Sequence, residues 1–173
     1  KTPQGRDLCY RLATEWADVV VENFKVDTME RYGLDYSSLA KENPGLVYCS
    51  ITGFGSTGPL RDQPGYDVIV SGMYGLMSIT GEEESEVPVK VGVAITDLMT
   101  GSLAHGGILA ALYQSHATGK GQRVELSLME TQLASLANIA ASALNTTTTT
   151  TNEKTTNPKR WGTAHESIVP YQA

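Results

Sequence analysis

Leu8, Cys9, Leu12 and Trp16 recur at helical spacing behind Pro3, so the pattern predicts a first helix over residues 4–16. Ala17 to Val21 is an almost wholly apolar run of the kind a buried parallel strand needs, and Glu22-Asn23-Phe24 follows at its C-terminal end. Open α/β sheets place ligands at such strand ends. Short helical stretches at Thr28–Tyr32 and Ser37–Glu42 precede a second strand, Leu46–Ile51, rich in β-branched and aromatic residues. Helix, strand, helix, strand implies an α/β chain with right-handed crossovers. A helix is expected over Tyr66–Ile79 and a stronger one over Thr96–His116, with Leu98, Met99, Leu103, Ile108, Leu109 and Leu112 apolar. In that second helix Gly101, Gly106 and Gly107 offer a face for close approach of another backbone. Gly119-Lys120-Gly121 turns the chain into the alternating strand Arg123–Leu128, and an apolar helix follows over Glu130–Leu144.

Between these elements, Gly53-Phe54-Gly55-Ser56-Thr57-Gly58-Pro59 forbids regular structure, and Gly81–Pro88, with four acidic residues, reads as a solvated loop. Asn145 to Pro158 is dominated by threonine, six in succession at Thr146 to Thr151, and offers no apolar residue to bury. The organisation expected is one body over residues 1–145, a flexible linker over 146–158, and the start of a connection to a smaller module over 159–173. The opening Lys1-Thr2-Pro3 and the close in mid-pattern at Ala173 suggest a piece of a longer chain.

Charge narrows the function classes. Among 173 residues, 13 Lys and Arg stand against 19 Asp and Glu, a net charge of −6, and no basic stripe exceeds Lys159-Arg160, which argues against a nucleic-acid partner. No apolar run approaches the roughly 18 residues of a membrane span. Cys9 and Cys49 lack metal-ligand spacing and read as reduced core residues of an intracellular protein.

The reactive inventory is short. Gly53-Phe54-Gly55-Ser56-Thr57-Gly58 matches G-x-G-x-x-G, but Pro59 follows at once and no long helix opens there, so a dinucleotide fingerprint is rejected. Asp97, in Ile95-Thr96-Asp97-Leu98-Met99-Thr100-Gly101, stands at the start of the long helix, where it is either a nucleophile or base toward a carbonyl compound or a plain N-cap. Tyr66-Asp67, after Pro64-Gly65, is a second loop-to-helix junction open to the reading of a cap beside a packed ring. His105 lies about 2.2 turns beyond Asp97 at 3.6 residues per turn, and a satisfied core histidine is its plainer reading. Arg31 suits a phosphate near the first strand's tip, or is a surface arginine.

Taken together, Ala17-Asp18-Val19-Val20-Val21-Glu22-Asn23-Phe24, the Gly53–Pro59 loop, Gly65-Tyr66-Asp67, Ala94–Gly101 and Thr118-Gly119-Lys120-Gly121-Gln122 resemble the class III CoA-transferases. Lys159–His165 and Ile168–Ala173 resemble the succinyl-CoA:glutarate branch. The resemblance implies a Rossmann-like large domain in an interlocked homodimer, incomplete at both ends here. It implies CoA transfer from a dicarboxylyl-CoA donor such as succinyl-CoA to a dicarboxylate such as glutarate. Asp97 then falls on the catalytic aspartate, and Asn23, Phe24, Arg31, Gly65, Tyr66 and Asp67 on the CoA-binding positions. Coenzyme A thioester is substrate, with no permanently bound cofactor, and the compartment expected is mitochondrial matrix or cytoplasm. The alternatives are an α-methylacyl-CoA racemase and an inactive CoA-binding relative. Tyrosine at position 66, where racemases carry histidine, argues for the transferase, because a residue type titrating near ~10 is poorly matched to α-proton abstraction.

Overall fold

A computed structural model describes residues 2–145, 158–166 and 168–171. Of the linker expected over residues 146–158, residues 146–157 lie outside them. The chain opens with helix α1 (Pro3–Glu15), whose N-terminus is capped by the Thr2 side chain on the Gly5 N–H at 3.1 Å. Strands β1 (Val19–Glu22), β2 (Val47–Thr52) and β3 (Arg123–Ser127) form one parallel sheet in the order β1-β2-β3, with Val19 opposite Val47 and Tyr48 opposite Arg123. A 3-10 turn at Glu30–Tyr32 and helix α2 (Tyr36–Leu39) cross between the first two strands. Helices α3 (Asp67–Met73), α4 (Leu76–Ile79) and the long α5 (Ile95–Thr118) cross between the second and third, and α6 (Leu128–Ser135) and α7 (Ala137–Asn145) follow. The α/β reading of the sequence matches this architecture.

Because the three strands run parallel, their C-terminal ends gather on one edge, and the loops after β1 and β2 meet there. β2 is central and its residues 47–50 are buried, as a strand covered on both faces requires. β1 is an edge strand among the described residues, and Val21 is exposed, which departs from the buried strand expected of its apolar run. One core cluster joins Ala13, Leu39, Leu46 and Tyr48 beneath α1 and α2, and another joins Phe54, Val70 and Leu128 between the β2 loop, α3 and α6.

Three sequence expectations need correction. The single helix foreseen over Tyr66–Ile79 is two, because Gly75 adopts φ 94°, a left-handed conformation that ends one helix and starts the next. The helix foreseen over Glu130–Leu144 begins at Leu128, where Ser127 caps the Glu130 N–H at 3.1 Å, and it breaks at Leu136. Cys49 is buried, as expected, but Cys9 is exposed on α1.

α5 also packs differently from its apolar pattern. The face against the sheet is its small one, with Thr96, Thr100, Ala104 and Ala111 buried, while Leu98, Leu103, Leu109 and Tyr113 stay more than half exposed. Gly107 belongs to the packed face, since a Cβ there would fall 2.9 Å from Val124 Cγ1. Gly101 and Gly106 meet nothing within 4 Å among the described residues. Beyond the threonine run, Lys159 Nζ pairs with Glu83 Oε1 at 2.5 Å and lies 3.9 Å from the Trp161 ring centre, and Arg160 is buried against Gly81. The acidic loop is thus partly covered by residues 159–161.

Gly121 is required by the turn into β3: a Cβ would fall under 3.0 Å from the carbonyl of Leu46, a backbone atom in the central strand's approach. Gly121→Ala is expected to lower unfolding free energy by about 2–4 kcal/mol, measured as a shift in the urea midpoint of the full-length protein.

Candidate functional site

The loops at the C-terminal edge of the sheet enclose an open cavity of about 450 Å³, lined by the segment after β1 (Asn23, Phe24, Lys25), the end of β2 (Ile51, Thr52, Gly53), the stretch Gln63–Tyr66, and the first turns of α5 (Asp97, Thr100, Gly101). Val26, Arg61 and Leu128 complete it. The two ends of the connection between β2 and α3, at Gly53 and Gly65, meet backbone to backbone in its lining. A Cβ on Gly53 would fall under 3.0 Å from the Gly65 main chain, and a Cβ on Gly65 would clash equally with Gly53. The Met129 N–H donates to the Gly53 carbonyl at 3.0 Å, so the start of α6 is fixed to the same point.

α5 begins in an unusual way. Its N-cap residue, Ala94, has no capping side chain. Asp67, from the first turn of α3, serves instead: its Oδ2 accepts the Thr96 N–H at 2.8 Å and lies 3.4 Å from the Asp97 N. Asp97 is the third residue of the helix, so it is not the N-cap that the plainer reading of the sequence offered. Among the described residues, none donates a hydrogen bond to its carboxylate. Partial desolvation against the cavity wall, although the residue stays exposed overall, and then the negative charge of Asp67 hold the Asp97 carboxyl above its ordinary value of 3.8.

The residue beside it is immobilised from behind. The Thr96 hydroxyl donates to Gln132 Oε1 at 2.6 Å and lies 3.3 Å from the Ser71 hydroxyl, while Gln132 Nε2 donates to Ser135 at 3.1 Å. Ser71, Thr96 and Gln132 are all buried, so this chain of polar contacts joins α3, α5 and α6 where water does not compete.

Elsewhere in the lining, the Arg61 guanidinium holds both carboxylate oxygens of Asp27, at 2.8 and 2.9 Å, and donates to the Ser56 carbonyl at 3.0 Å. Asp27 has φ 61°, a conformation few non-glycine residues adopt, and the paired arginine fixes it there. Lys25 adds a second cation to the lining.

Of the residues singled out from the sequence, Asp97, Asn23, Phe24, Gly65 and Tyr66 converge on this cavity, with Phe24 and Tyr66 well exposed in it. Asp67 lies immediately beneath it, turned toward α5 rather than into the space. Arg31 is exposed in the 3-10 turn and does not line the cavity. His105, expected as a core histidine, is exposed on α5, because the buried face of that helix is carried by Thr96, Thr100, Ala104 and Ala111 instead. Lys25 and Arg61 were missed. Lys25 directly follows the strand-end segment that was recognised, whereas the role of Arg61 depends on Asp27, 34 residues away, and leaves no local signal.

Comparison with known proteins agrees with the geometry. The family model described as "CoA-transferase family III" matches residues 1–173. A succinate–glutarate CoA-transferase from Agrobacterium fabrum is 48% identical over 99% of the chain, which covers 40% of that protein. The succinyl-CoA:glutarate CoA-transferase of Mus musculus is 46% identical over 100% of the chain, covering 37% of that protein. A crystal structure of a CAIB/BAIF family protein from Brucella suis superposes with a TM-score of 0.85 at 46% identity, over 99% of this chain and 43% of that one. The chain therefore spans about two fifths of the length of its relatives.

A carboxyl held above its usual range opposes folding when it is ionised. The cost is present at neutral pH and disappears as pH falls below the unfolded value near 3.8. Asp97→Asn is accordingly expected to raise stability at pH 7 by a few tenths of a kcal/mol, the exposure of the side chain keeping the gain small, and to lose that advantage toward pH 4. Urea midpoints of the two full-length proteins at pH 7 and pH 4 check both signs.

Proposed function

The chain belongs to CoA-transferase family III, and from that premise we propose that it carries the nucleophile and part of the CoA-binding wall of an enzyme that moves CoA from succinyl-CoA or a similar dicarboxylyl-CoA to glutarate or a similar dicarboxylate. The observation that carries this reading is the Asp97 carboxylate, free of hydrogen bonds from the described residues, opening into a cavity whose lining includes Lys25.

The reaction conserves the thioester's activation throughout. Asp97 attacks the donor's thioester carbon, the carbon–sulfur bond breaks, and CoA leaves as thiolate, giving a mixed aspartyl–acyl anhydride. The thiolate then attacks the aspartyl carbonyl, which releases the donor acid as a carboxylate and leaves an aspartyl-CoA thioester. The acceptor carboxylate displaces CoA thiolate from that thioester to form the second anhydride. Attack of the thiolate on the acceptor acyl carbon yields the new acyl-CoA and restores the Asp97 carboxylate. Every step is an acyl transfer between carboxylates and a thiolate, and none consumes a proton or an electron.

The remaining cavity residues suit this chemistry. Lys25 gives positive charge to a site that must admit anionic thioesters into a chain of net charge −6, while Arg61, neutralised by Asp27, shapes the lining. Phe24 and Tyr66 offer exposed ring faces to the pantetheine arm, and Asn23 and Gly65 offer polar contact and close backbone approach. Arg31 is exposed outside the cavity, and its assignment to the phosphate end of CoA rests on the suitability of a guanidinium for phosphate. Tyrosine rather than histidine at 66 favours the transferase over a racemase, which requires a second acid–base group beside the α-carbon. The Rossmann-like interlocked homodimer belongs to the same reading. The exposed apolar side chains of Leu12, Trp16, Leu103, Leu109 and Tyr113 need a cover in the whole protein, which the rest of the chain or a second copy supplies.

Incubating the full-length protein with succinyl-CoA and hydroxylamine is expected to convert Asp97 to a hydroxamate detectable by peptide mass spectrometry, and Asp97→Ala is expected to lose both the adduct and at least ~10³-fold in exchange rate. CoA binding without an adduct in the wild-type protein would overturn the covalent mechanism.

A further inference from the structure

Resting on the reading of Asp97 as nucleophile, we propose that Asp67 is a positioning residue for the reaction: its carboxylate occupies the free N–H groups at the head of α5 and stands as a fixed negative charge beside Asp97.

A helix N-terminus normally presents unpaired N–H groups and partial positive charge, and both favour an ionised carboxylate in the first turn. A carboxylate stabilised in that way is a weak nucleophile. Here the Thr96 N–H is bonded to Asp67 at 2.8 Å, and the Asp97 N–H faces the same oxygen at 3.4 Å. The helix terminus is therefore satisfied by a different acid, and Asp97 is left in the first turn without the bonds that would quiet it. Asp67 does not line the cavity, so it acts on the substrate only through Asp97.

Its position is over-determined. Asp67 follows Gly65 by two residues, and Gly65 is locked against Gly53 by a contact that no side chain could enter. From the other side, Thr96 is held by Gln132 and Ser71, so the N–H that Asp67 accepts cannot move away. The ionisable groups around Asp97 are Asp67 and Tyr66 at the start of α3, Lys25 after β1 and Arg61 from the β2 loop, with His105 two turns along α5. Asp67 is the one carboxylate among them, and Arg61 is already paired with Asp27. The upward shift of the Asp97 carboxyl, caused by burial and then by Asp67, agrees with this geometry.

A cap of purely structural value would affect stability and nothing else, which makes the two roles separable. Asp67→Asn and Asp67→Ser each keep an oxygen that can accept the Thr96 N–H but remove the charge. In the full-length protein with succinyl-CoA and glutarate, both variants are expected to move the acid limb of the kcat/KM profile to lower pH by about half to one unit, because Asp97 becomes easier to ionise. Both are expected to slow hydroxylamine trapping at Asp97 by roughly 3–10-fold above that limb, with KM changed less than ~2-fold. A wild-type acid limb and trapping rate in both variants, with only the thermal midpoint lowered, would overturn the proposal and leave the nucleophile reading intact. Asp97→Asn, assayed alongside, separates the two: exchange that survives in that variant removes the nucleophile reading itself, whatever the Asp67 variants show.

Discussion

The contact between Gly53 and Gly65 is the constraint on which the site depends. They stand at the two ends of the one connection between the central strand and α3, and a loop of that length is normally free to shift. Bringing two main chains together with no side chain between them removes that freedom, because each glycine fits only where the other has no Cβ. The contact then sets three things at once. It fixes the floor of the cavity, it places the first residue of α3 under the head of α5, and through the Gly53 carbonyl it fixes the start of α6.

Above that floor the structure uses polar contacts rather than apolar packing to hold the N-terminal end of α5. Ser71, Thr96, Gln132 and Ser135 form a chain of hydrogen bonds, three of these residues being buried, and each has geometric preferences that aliphatic side chains lack. The small residues of α5 that face the sheet serve the same end, since threonine and alanine let the helix axis lie close to β2 and β3. A helix seated on larger side chains would carry Asp97 away from the strand ends. The apolar bulk of α5 is turned outward as a result, with Leu103, Leu109 and Tyr113 on the surface of the described body.

Sequence patterns revealed the order of the elements, the parallel layout and the residues that meet at the strand ends, because apolar runs and loop glycines are local signals. They misjudged what those patterns do when they compete with tertiary contacts. The leucines of α5 suggested the buried face, yet close packing selected the small residues instead. Gly75 was read as part of a helix because its neighbours are apolar, and only its left-handed backbone shows the break. The same limit applied to the site. Asp97 and Tyr66 were legible from motif and position, whereas Asp67's attachment to α5 spans 29 residues and the Arg61–Asp27 pair spans 34, distances over which no periodicity carries information.

Two carboxylates side by side at the head of one helix also bear on the balance between the free and the acylated protein. In the resting state both carry charge, and their repulsion is part of the free energy of the empty site. On the nucleophile reading, acylation of Asp97 turns one of them into a neutral carbonyl, and the repulsion vanishes as the bond forms. It returns only when the new acyl-CoA forms and Asp97 is a carboxylate again. Asp67 would thereby tilt the equilibrium toward the covalent state while touching no part of the acyl group, a bias that is the same for every acid the site admits and leaves the choice among acids to the rest of the cavity.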